Sequence, residues 1–291
     1  MNIKKILNKS ETFLQKHNID QARLDAEVLL ADLLDMERIK LYVNYDYPLT
    51  KQELNQYRSR IMKRAEKIPV AYIIGHQEFM SLDLKVNQNV LIPRPETEIL
   101  VEEIISRCQK QELKQPNIVD VGTGSGAIMV SLGYNLTKSK ILGIDVSEKI
   151  LKVAQTNIKK YELGDRLKVI KGNLLQPLLK MNKTNVDIVV SNPPYIGEDE
   201  MKNLPPDVKN EPQTALNGGK QGLEIYKELI PQAAQVLKKD GLLALEIGFN
   251  QADEIINLLE NNWQDIQVKR DYTDQDNMIL AKKGKNYKSE D

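Results

Sequence analysis

One cysteine, two histidines, one tryptophan and three phenylalanines are all that 291 residues hold of those types. Cys108, His17 and His76 can build neither a disulfide framework nor a Cys/His zinc site within one chain, and they argue against a Cys/His catalytic pair. No metal is expected. Net charge is also absent, since 41 basic side chains balance 41 acidic ones. A protein that grips long nucleic acid through its phosphates usually carries a basic excess, so no stable nucleic-acid partner is expected. No run approaches the ~20 apolar residues of a membrane span. The opening segment MNIKKILNKSETFLQKHNID scatters its charges and has no small-residue cleavage site, so no membrane association and a cytoplasmic location are expected. What is plentiful is apolar sequence, 41% of the chain. At a length where single cores stop growing, about 250–300 residues, that predicts a globular chain of two compact units.

The first third reads as helical. Ile3, Ile6, Leu7, Phe13 and Leu14 share one helical face, and Asp20 is placed to cap a second helix carrying Leu24, Val28, Leu29 and Leu33. Thr50 followed by Glu53 is a capping box for a third helix that runs until Pro69. From Ala71 the runs AYIIG, EFMSLDLKV and NVLI are β-like, broken by Gly75 and a turn-prone stretch at 87–89, and predict a β-hairpin linker. An amphipathic segment with Ile99, Leu100, Ile104 and Ile105 follows. Strands (NIVDV, KILGID, LKVI, VDIVVSN, LLALEIG) then alternate with helices from about Ser125, from about Ser147, and across 223–237 and 252–259. Such alternation implies a mostly parallel sheet with helices on both faces. WQDIQVKRDYTDQDNMILAKK predicts an antiparallel pair at the sheet edge, with a frayed tail from Lys282. The expected division is a helical domain at 1–70, the hairpin linker at 71–94 and the main domain at 95–291.

Two motifs carry chemistry. In VDVGTGSGAIMV a strand ends at Asp120 and the glycines Gly122, Gly124 and Gly126 lead into a helix, letting the backbone turn tightly beside a ligand. Asp145 ends the next strand, nineteen residues after Gly126, close to the ~20 expected of a carboxylate that takes a ribose hydroxyl. The spacing is GxGxG rather than the GxGxxG that seats a pyrophosphate, and the Asp120 carboxylate just ahead of it favours a cationic ligand such as S-adenosyl-L-methionine. The second motif is SNPPY, Ser191 to Tyr195, at the carboxyl end of an apolar strand. The Asn192 side-chain carbonyl and the Pro193 backbone carbonyl can accept hydrogen bonds from one NH2 group, Pro193 and Pro194 stiffen the loop, and Tyr195 offers a flat face to a conjugated nitrogen. Each motif also has a plain alternative, a helix-packing glycine turn and an ordinary Pro-Pro turn.

These motifs, together with LIPRPETE (Leu91 to Glu98), GIDVS, EPQTALNGGKQGL (Glu211 to Leu223), LALEIG with Gln251, and RLDAEVLLA (Arg23 to Ala31), resemble the PrmC/HemK protein-glutamine methyltransferases, which modify class-1 peptide chain release factors. The resemblance covers nearly the whole chain, and IPRPETE and EPQTAL are its most specific parts. It implies a Rossmann-like class I methyltransferase fold with a mostly parallel seven-stranded sheet, an N-terminal helical bundle that recognises the substrate, and a monomer. Gly122, Thr123, Gly124, Ser125, Gly126 and Asp145 would hold the cofactor, with Asn192 beside it, and Asn173 or Leu174 would meet the adenine. Asn192, Pro193, Pro194 and Tyr195 would bind the glutamine amide, with Asn192, Pro193 and Tyr195 catalytic. Arg94, Glu96 and Glu211 would help close the pocket, and the loop holding Glu211 and Asn217 could form a lid. Glu246, a charge among apolar neighbours, reads as a structural hydrogen-bond acceptor for nearby backbone.

The implied reaction is direct displacement, giving N(5)-methylglutamine and S-adenosyl-L-homocysteine. A carboxamide is far too weak an acid for Asp or Glu to deprotonate beforehand, so positioning and carbonyl electrostatics would do the work. The chief alternative is an amino methyltransferase acting on an adenine or guanine of DNA or RNA, since a flipped base presents the same planar NH2. A catalytically silent cofactor-binding module and a nicotinamide oxidoreductase are the other competitors.

Overall fold

Apolar residues three and four apart shape the helical part of the chain. Helix α1 (Ile3–Lys16) buries Ile3, Ile6, Leu7 and Leu14. It starts where the Asn2 side chain accepts from the Lys5 N–H at 3.1 Å, satisfying one of the free donors of a helix start. Phe13 is only partly buried and packs on the His17 ring, centroids 4.3 Å apart. Helix α2 (Ala22–Leu33) follows Gln21 rather than an Asp20 cap. It turns Ala22, Ala26, Leu29 and Leu30 inward and leaves Leu24 exposed, because two alanines let neighbouring helices approach that face. Helix α3 (Arg38–Val43) buries only Leu41 and is too short for periodicity to register in the sequence. Helix α4 (Lys51–Ala65) carries the expected capping box: Thr50 Oγ1 accepts from the Glu53 N–H at 3.2 Å and Glu53 Oε2 accepts from the Thr50 N–H at 2.6 Å.

The run AYIIG is a helical turn and not a strand. Pro69 precedes helix α5 (Val70–Ile74), and Gly75 at φ +83 ends it in the left-handed conformation that glycine adopts without strain. A four-residue apolar run looks the same in either state. NVLI is likewise irregular: the Ile92 N–H finds its acceptor in the Glu211 carboxylate at 3.0 Å and not in a strand partner.

We refer to a computed structural model that describes residues 1–259 and 262–284. Two compact units emerge from its internal contacts, one of Met1–His76 with Pro205–Asn210, the other of Gln77–Leu204 with the chain from Glu211 onward. In the first unit Arg64 is buried and reaches two carboxylates, Asp25 and Asp207, each at 2.6 Å.

Next along the chain comes a hairpin, β1 (His76–Phe79) and β2 (Leu82–Lys85), which forms a two-stranded sheet. There follow α6 (Pro95–Lys110), β3 (Asn117–Val121), α7 (Ala127–Asn135), β4 (Lys140–Asp145), α8 (Glu148–Lys160), β5 (Leu167–Lys171), α9 (Gln176–Lys180), β6 (Val186–Ser191) and α10 (Glu198–Met201). After the short α11 (Pro206–Lys209) and a 3-10 turn at Gln213–Ala215 come α12 (Glu224–Val236), β7 (Leu237–Glu246), α13 (Ala252–Leu259), β8 (Trp263–Arg270) and β9 (Asp276–Lys283). Lys282 and Lys283 thus belong to the last strand, and the tail from 285 lies outside the described residues. The seven-stranded sheet has the order β5-β4-β3-β6-β7-β9-β8, parallel except that β9 runs antiparallel to both its neighbours.

Alternate residues of each strand feed two cores, as expected of a sheet covered on both faces. Ile118, Ile188, Val190, Ala244 and Leu280 join the core that α6 and α7 supply with Leu100, Ile104, Met129 and Leu132. Val119, Val121, Val189, Leu243 and Ile279 join Tyr226, Leu229, Ala233 and Ile255 of α12 and α13. Cys108 is buried in the first core, which pushes its thiol up to about 11 and keeps it inert. No described helix is long and apolar enough to cross a membrane.

Arg64→Ala would strand Asp25 with an uncompensated buried charge. It should destabilise the helical unit by about 2–4 kcal/mol in denaturant unfolding; a loss below about 1 kcal/mol would show that the pair contributes no more than a surface one.

Candidate active site

Strand order reverses between β3 and β6: from β3 the chain steps outward to β4 and β5, then crosses back to add β6 on the other side of β3. Ligands of open α/β sheets bind at such a switch point, outside the carboxyl ends of the strands. Val121, the last residue of β3, pairs with Ile144 on one side and Ser191 on the other. The residues that follow these three, Gly122, Asp145 and Asn192, therefore emerge side by side. They line one cleft, together with Gly124, Asn173, Leu174, Pro193 and Pro194.

Backbone hydrogen bonds fix the glycine loop. Gly122 and Thr123 donate to the Ile144 carbonyl at 2.8 and 3.1 Å, and Gly124 donates to Asp145 Oδ2 at 3.1 Å. Gly122 and Gly124 have φ of +71 and +56, and a side chain added to Gly122 would enter open space, so conformation is what demands glycine there. Gly126 differs: at φ +82 it abuts Ala154, and a Cβ would stand 3.2 Å from that side chain. Its work is helix packing. Thr123, Ser125 and Gly126, expected at the cofactor, are not among the residues that line the cleft. Thr123 donates to Asp120 Oδ2 at 2.7 Å, and Ser125 offers its carbonyl to Asn157 Nδ2 at 2.8 Å.

Asn157 was not singled out from sequence, since an asparagine within an amphipathic helix reads as polar surface. It is fully buried, and its amide also bonds Lys85 in both directions, accepting at 2.7 Å and donating at 2.9 Å. The hairpin is thereby locked to the glycine loop through one side chain.

Asp120 corrects an expectation. It is fully buried behind the loop, does not line the cleft, and its Oδ1 has no partner among the described residues. Burial pushes its carboxyl up to about 7, so it is no standing negative charge facing a ligand. Asp145 does face the cleft, nearly buried; burial raises its carboxyl while the N–H groups of Gly124 and Ser147 hold it down.

Ser191 Oγ donates to the Val121 carbonyl at 2.7 Å, pinning the start of the NPPY loop to β3. The segment after it pairs with the second specific motif: Ile196 bridges Asn217, with Ile196 N–H donating to Leu216 O at 3.0 Å and Gly218 N–H to Ile196 O at 2.9 Å. Thr214 and Ala215 of EPQTAL reach the cleft wall. Tyr195 instead packs into the α12 side core, where burial pushes its phenol up to about 12, and its carbonyl accepts from Gln251 Nε2 at 3.0 Å. Arg94 and Glu211 form an ion pair, and Glu211 is 5% exposed. With its second bond to Ile92, Glu211 ties the Leu91–Arg94 stretch, whose Leu91 lines the cleft, to the chain that leads into Thr214. Glu96 is exposed in the first turn of α6 and does not line the cleft. Glu246 is 2% exposed and sits with Thr97 and Asn192, so the groups that face its carboxyl are side chains and not the backbone it was expected to serve. No cluster of metal-binding side chains occurs among the described residues.

A glycine loop, a strand-end carboxylate and an acceptor loop gathered at the switch point of this seven-stranded sheet define a class I S-adenosylmethionine-dependent methyltransferase. Residues 5–75 match the PrmC N-terminal domain family and residues 112–284 a methyltransferase domain family. The release factor glutamine methyltransferase of Fusobacterium nucleatum is 40% identical over 281 residues, which are 96% of this chain and 78% of that one. That of Clostridium acetobutylicum is 39% identical over 98% of this chain and 99% of its own. Among solved structures, the hMettl16 catalytic domain in complex with a MAT2A 3'UTR hairpin shares the fold at a TM-score of 0.55 and 18% identity, covering 80% of this chain and 82% of that one. The chain belongs to the release factor glutamine methyltransferase family.

Gly222 has φ +74, and a Cβ there would stand 2.1 Å from the Tyr195 carbonyl oxygen. Gly222→Ala should destabilise the second unit by at least about 2 kcal/mol, read as a lowered thermal midpoint; an unchanged midpoint would mean the loop does not pack against NPPY.

Asp120 binds its proton more tightly folded than unfolded, so its contribution to stability is full below pH ~4 and is lost as pH rises to about 7. Asp120→Asn, uncharged throughout, should gain on the order of 2–3 kcal/mol relative to wild type between pH 5 and pH 8 in denaturant titrations; a constant difference would mean that Asp120 keeps an ordinary carboxylate pKa.

Proposed function

We propose that this enzyme methylates the side-chain amide nitrogen of the glutamine in the GGQ loop of class-1 peptide chain release factors, supporting translation termination. One observation carries the reading: Asn192 and Pro193 share a single cleft with Gly122, Gly124 and Asp145. An acceptor pair for an amide NH2 thus stands beside a cradle of the kind that holds an adenosine cofactor.

Gly122 and Gly124 hold the methionine end of S-adenosyl-L-methionine, Asp145 takes the ribose hydroxyls, and Asn173 or Leu174 meets the adenine; that cradle fits the group, being open above Gly122 and carrying Asp145 at its far wall. The bound cofactor supplies a sulfonium methyl, and S-adenosyl-L-homocysteine remains after transfer. Asn192 Oδ1 and the Pro193 carbonyl accept the two amide hydrogens, so that the nitrogen lone pair is left to face across the cleft. Pro194 stiffens that geometry, Tyr195 supports it from the core side, and the Arg94 and Glu211 pair steadies the wall. Because no side chain is basic enough to remove an amide proton first, the proton leaves with or after attack, and the gain comes from positioning and fixed dipoles.

Recognition of the factor is assigned to the N-terminal helical region, 1–70, since one glutamine in a loop offers little surface for selectivity. Support comes from α3, which leaves Ile39, Tyr42 and Val43 exposed at 65%, 43% and 80%. Residues 71–94 act as the linker and residues 95–291 as the catalytic domain of a cytoplasmic monomer.

Peptide mass spectrometry of a release factor incubated with the enzyme and S-adenosyl-L-methionine tests the assignment. One methyl group should appear on the loop glutamine. Asn192→Ala should lower turnover at least about 100-fold while cofactor affinity stays within a few-fold. Methyl label on DNA or RNA, with none on the factor, would overturn the substrate; full turnover by Asn192→Ala would overturn the residue's role.

A further inference from the structure

We propose that Thr97 and Glu246 are positioning residues that fix which end of the Asn192 amide faces the cleft, so that the substrate amide meets an acceptor and never a donor. The inference rests on the reading of Asn192 as the acceptor for the glutamine NH2.

A primary amide has a donor end and an acceptor end of nearly the same shape, and only the surrounding hydrogen bonds decide between its two orientations. Around Asn192 that choice is made by two residues from two elements. Glu246 is the last residue of β7, and Leu245 just before it pairs with Ser191, so Glu246 and Asn192 leave adjacent strands together. Thr97 sits in the first turn of α6 and is 4% exposed. Asn192 Nδ2 donates to Thr97 Oγ1 at 3.0 Å. Having accepted there, the Thr97 hydroxyl keeps its own proton to offer, and the Glu246 carboxyl, close enough to feel both Thr97 and Asn192, is the acceptor beside it. In its ionised form that carboxyl can only accept. The amino end of Asn192 thus faces acceptors on the buried side, and Oδ1 is left for the cleft that Asn192 lines.

The position of Glu246 carries a cost that packing alone does not explain. It is 2% exposed at the end of the apolar run Leu242–Leu245, its Oε2 has no hydrogen-bond partner among the described residues, and a well-packed apolar residue there would be the more stabilising choice. Burial pushes its carboxyl up to about 7, Thr97, Asn192 and Arg94 draw it back toward the ionised form and Glu96 opposes them, while the buried phenols of Tyr195 and Tyr226 lie close enough to feel its charge. The Tyr226 hydroxyl donates to the Glu246 backbone carbonyl at 2.8 Å and steadies the strand end.

Thr97→Val keeps the β-branched shape and removes only the relay. With a release factor and saturating S-adenosyl-L-methionine, Thr97→Val should lower kcat at least tenfold while the cofactor dissociation constant stays within twofold, and Thr97→Ser should restore kcat to within threefold of wild type. Added to Asn192→Ala, Thr97→Val should lower the residual single-turnover rate no further, because it acts only through Asn192. The proposal falls if Thr97→Val keeps kcat within twofold of wild type, or if the double variant loses a further tenfold. If Thr97→Val does not fold, Glu246→Gln is held to the same kcat and cofactor-affinity criteria, since its amide can donate to Asn192 Oδ1 and permit the flipped orientation. Loss of turnover in Asn192→Ala alongside normal Thr97→Val sinks only this inference; normal turnover in Asn192→Ala sinks the reading beneath it.

Discussion

The geometry of the cleft depends on the register at the end of β3. Because Val121 pairs with Ile144 and with Ser191, the three strand ends are level, and the first residues beyond them share one rim. A slip of one residue on either side would turn Asp145 or Ser191 to the opposite face, since side chains alternate along a strand. The loop hydrogen bonds follow from that alignment: Gly122 and Thr123 can both reach the Ile144 carbonyl, and Ser191 the Val121 carbonyl, only because the strand ends coincide.

Around this rim the protein tolerates carboxyl groups that it does not fully satisfy. Asp120 of β3 and Glu246 of β7 are both buried, each has one oxygen without a hydrogen-bond partner among the described residues, and burial pushes both up to about 7. A domain selected for stability alone would fill such positions with apolar side chains. Asp120 holds the hydroxyl of Thr123 within the glycine loop, while Glu246 lies buried beside Thr97 and Asn192. Fixed polarity at the two loops that must not move is bought with stability.

Much of this was legible in the residues. Alternating strands and helices, the glycine loop with Asp145 and the NPPY loop were readable because each rests on local chemistry: a turn that needs positive φ, a carboxylate at a strand end, prolines that stiffen a loop. What escaped was short or tertiary. AYIIG and the α3 segment are too brief for periodicity to separate helix from strand. Asn157 and Thr97 are ordinary polar residues in helices until the chain brings Lys85 and Ser125 to one, and Asn192 to the other. Asp120 was visible as a carboxylate beside the loop, yet the side of the strand it occupies, and hence its burial, could not be read from spacing alone.

Residues 205–210 are counted with the helices that open the chain, although most of the chain separates them in sequence. The helical unit is therefore discontinuous: Asp207, which pairs with Arg64, is delivered by a loop that leaves NPPY and returns as Glu211. No single cut frees that unit whole. A fragment ending after residue 76 would leave Arg64 short of one of its two carboxylates and uncover the surface that residues 205–210 occupy. Exchange of this module between relatives would likewise have to carry two separate stretches of gene together, the shorter of them embedded in the sequence of the other unit.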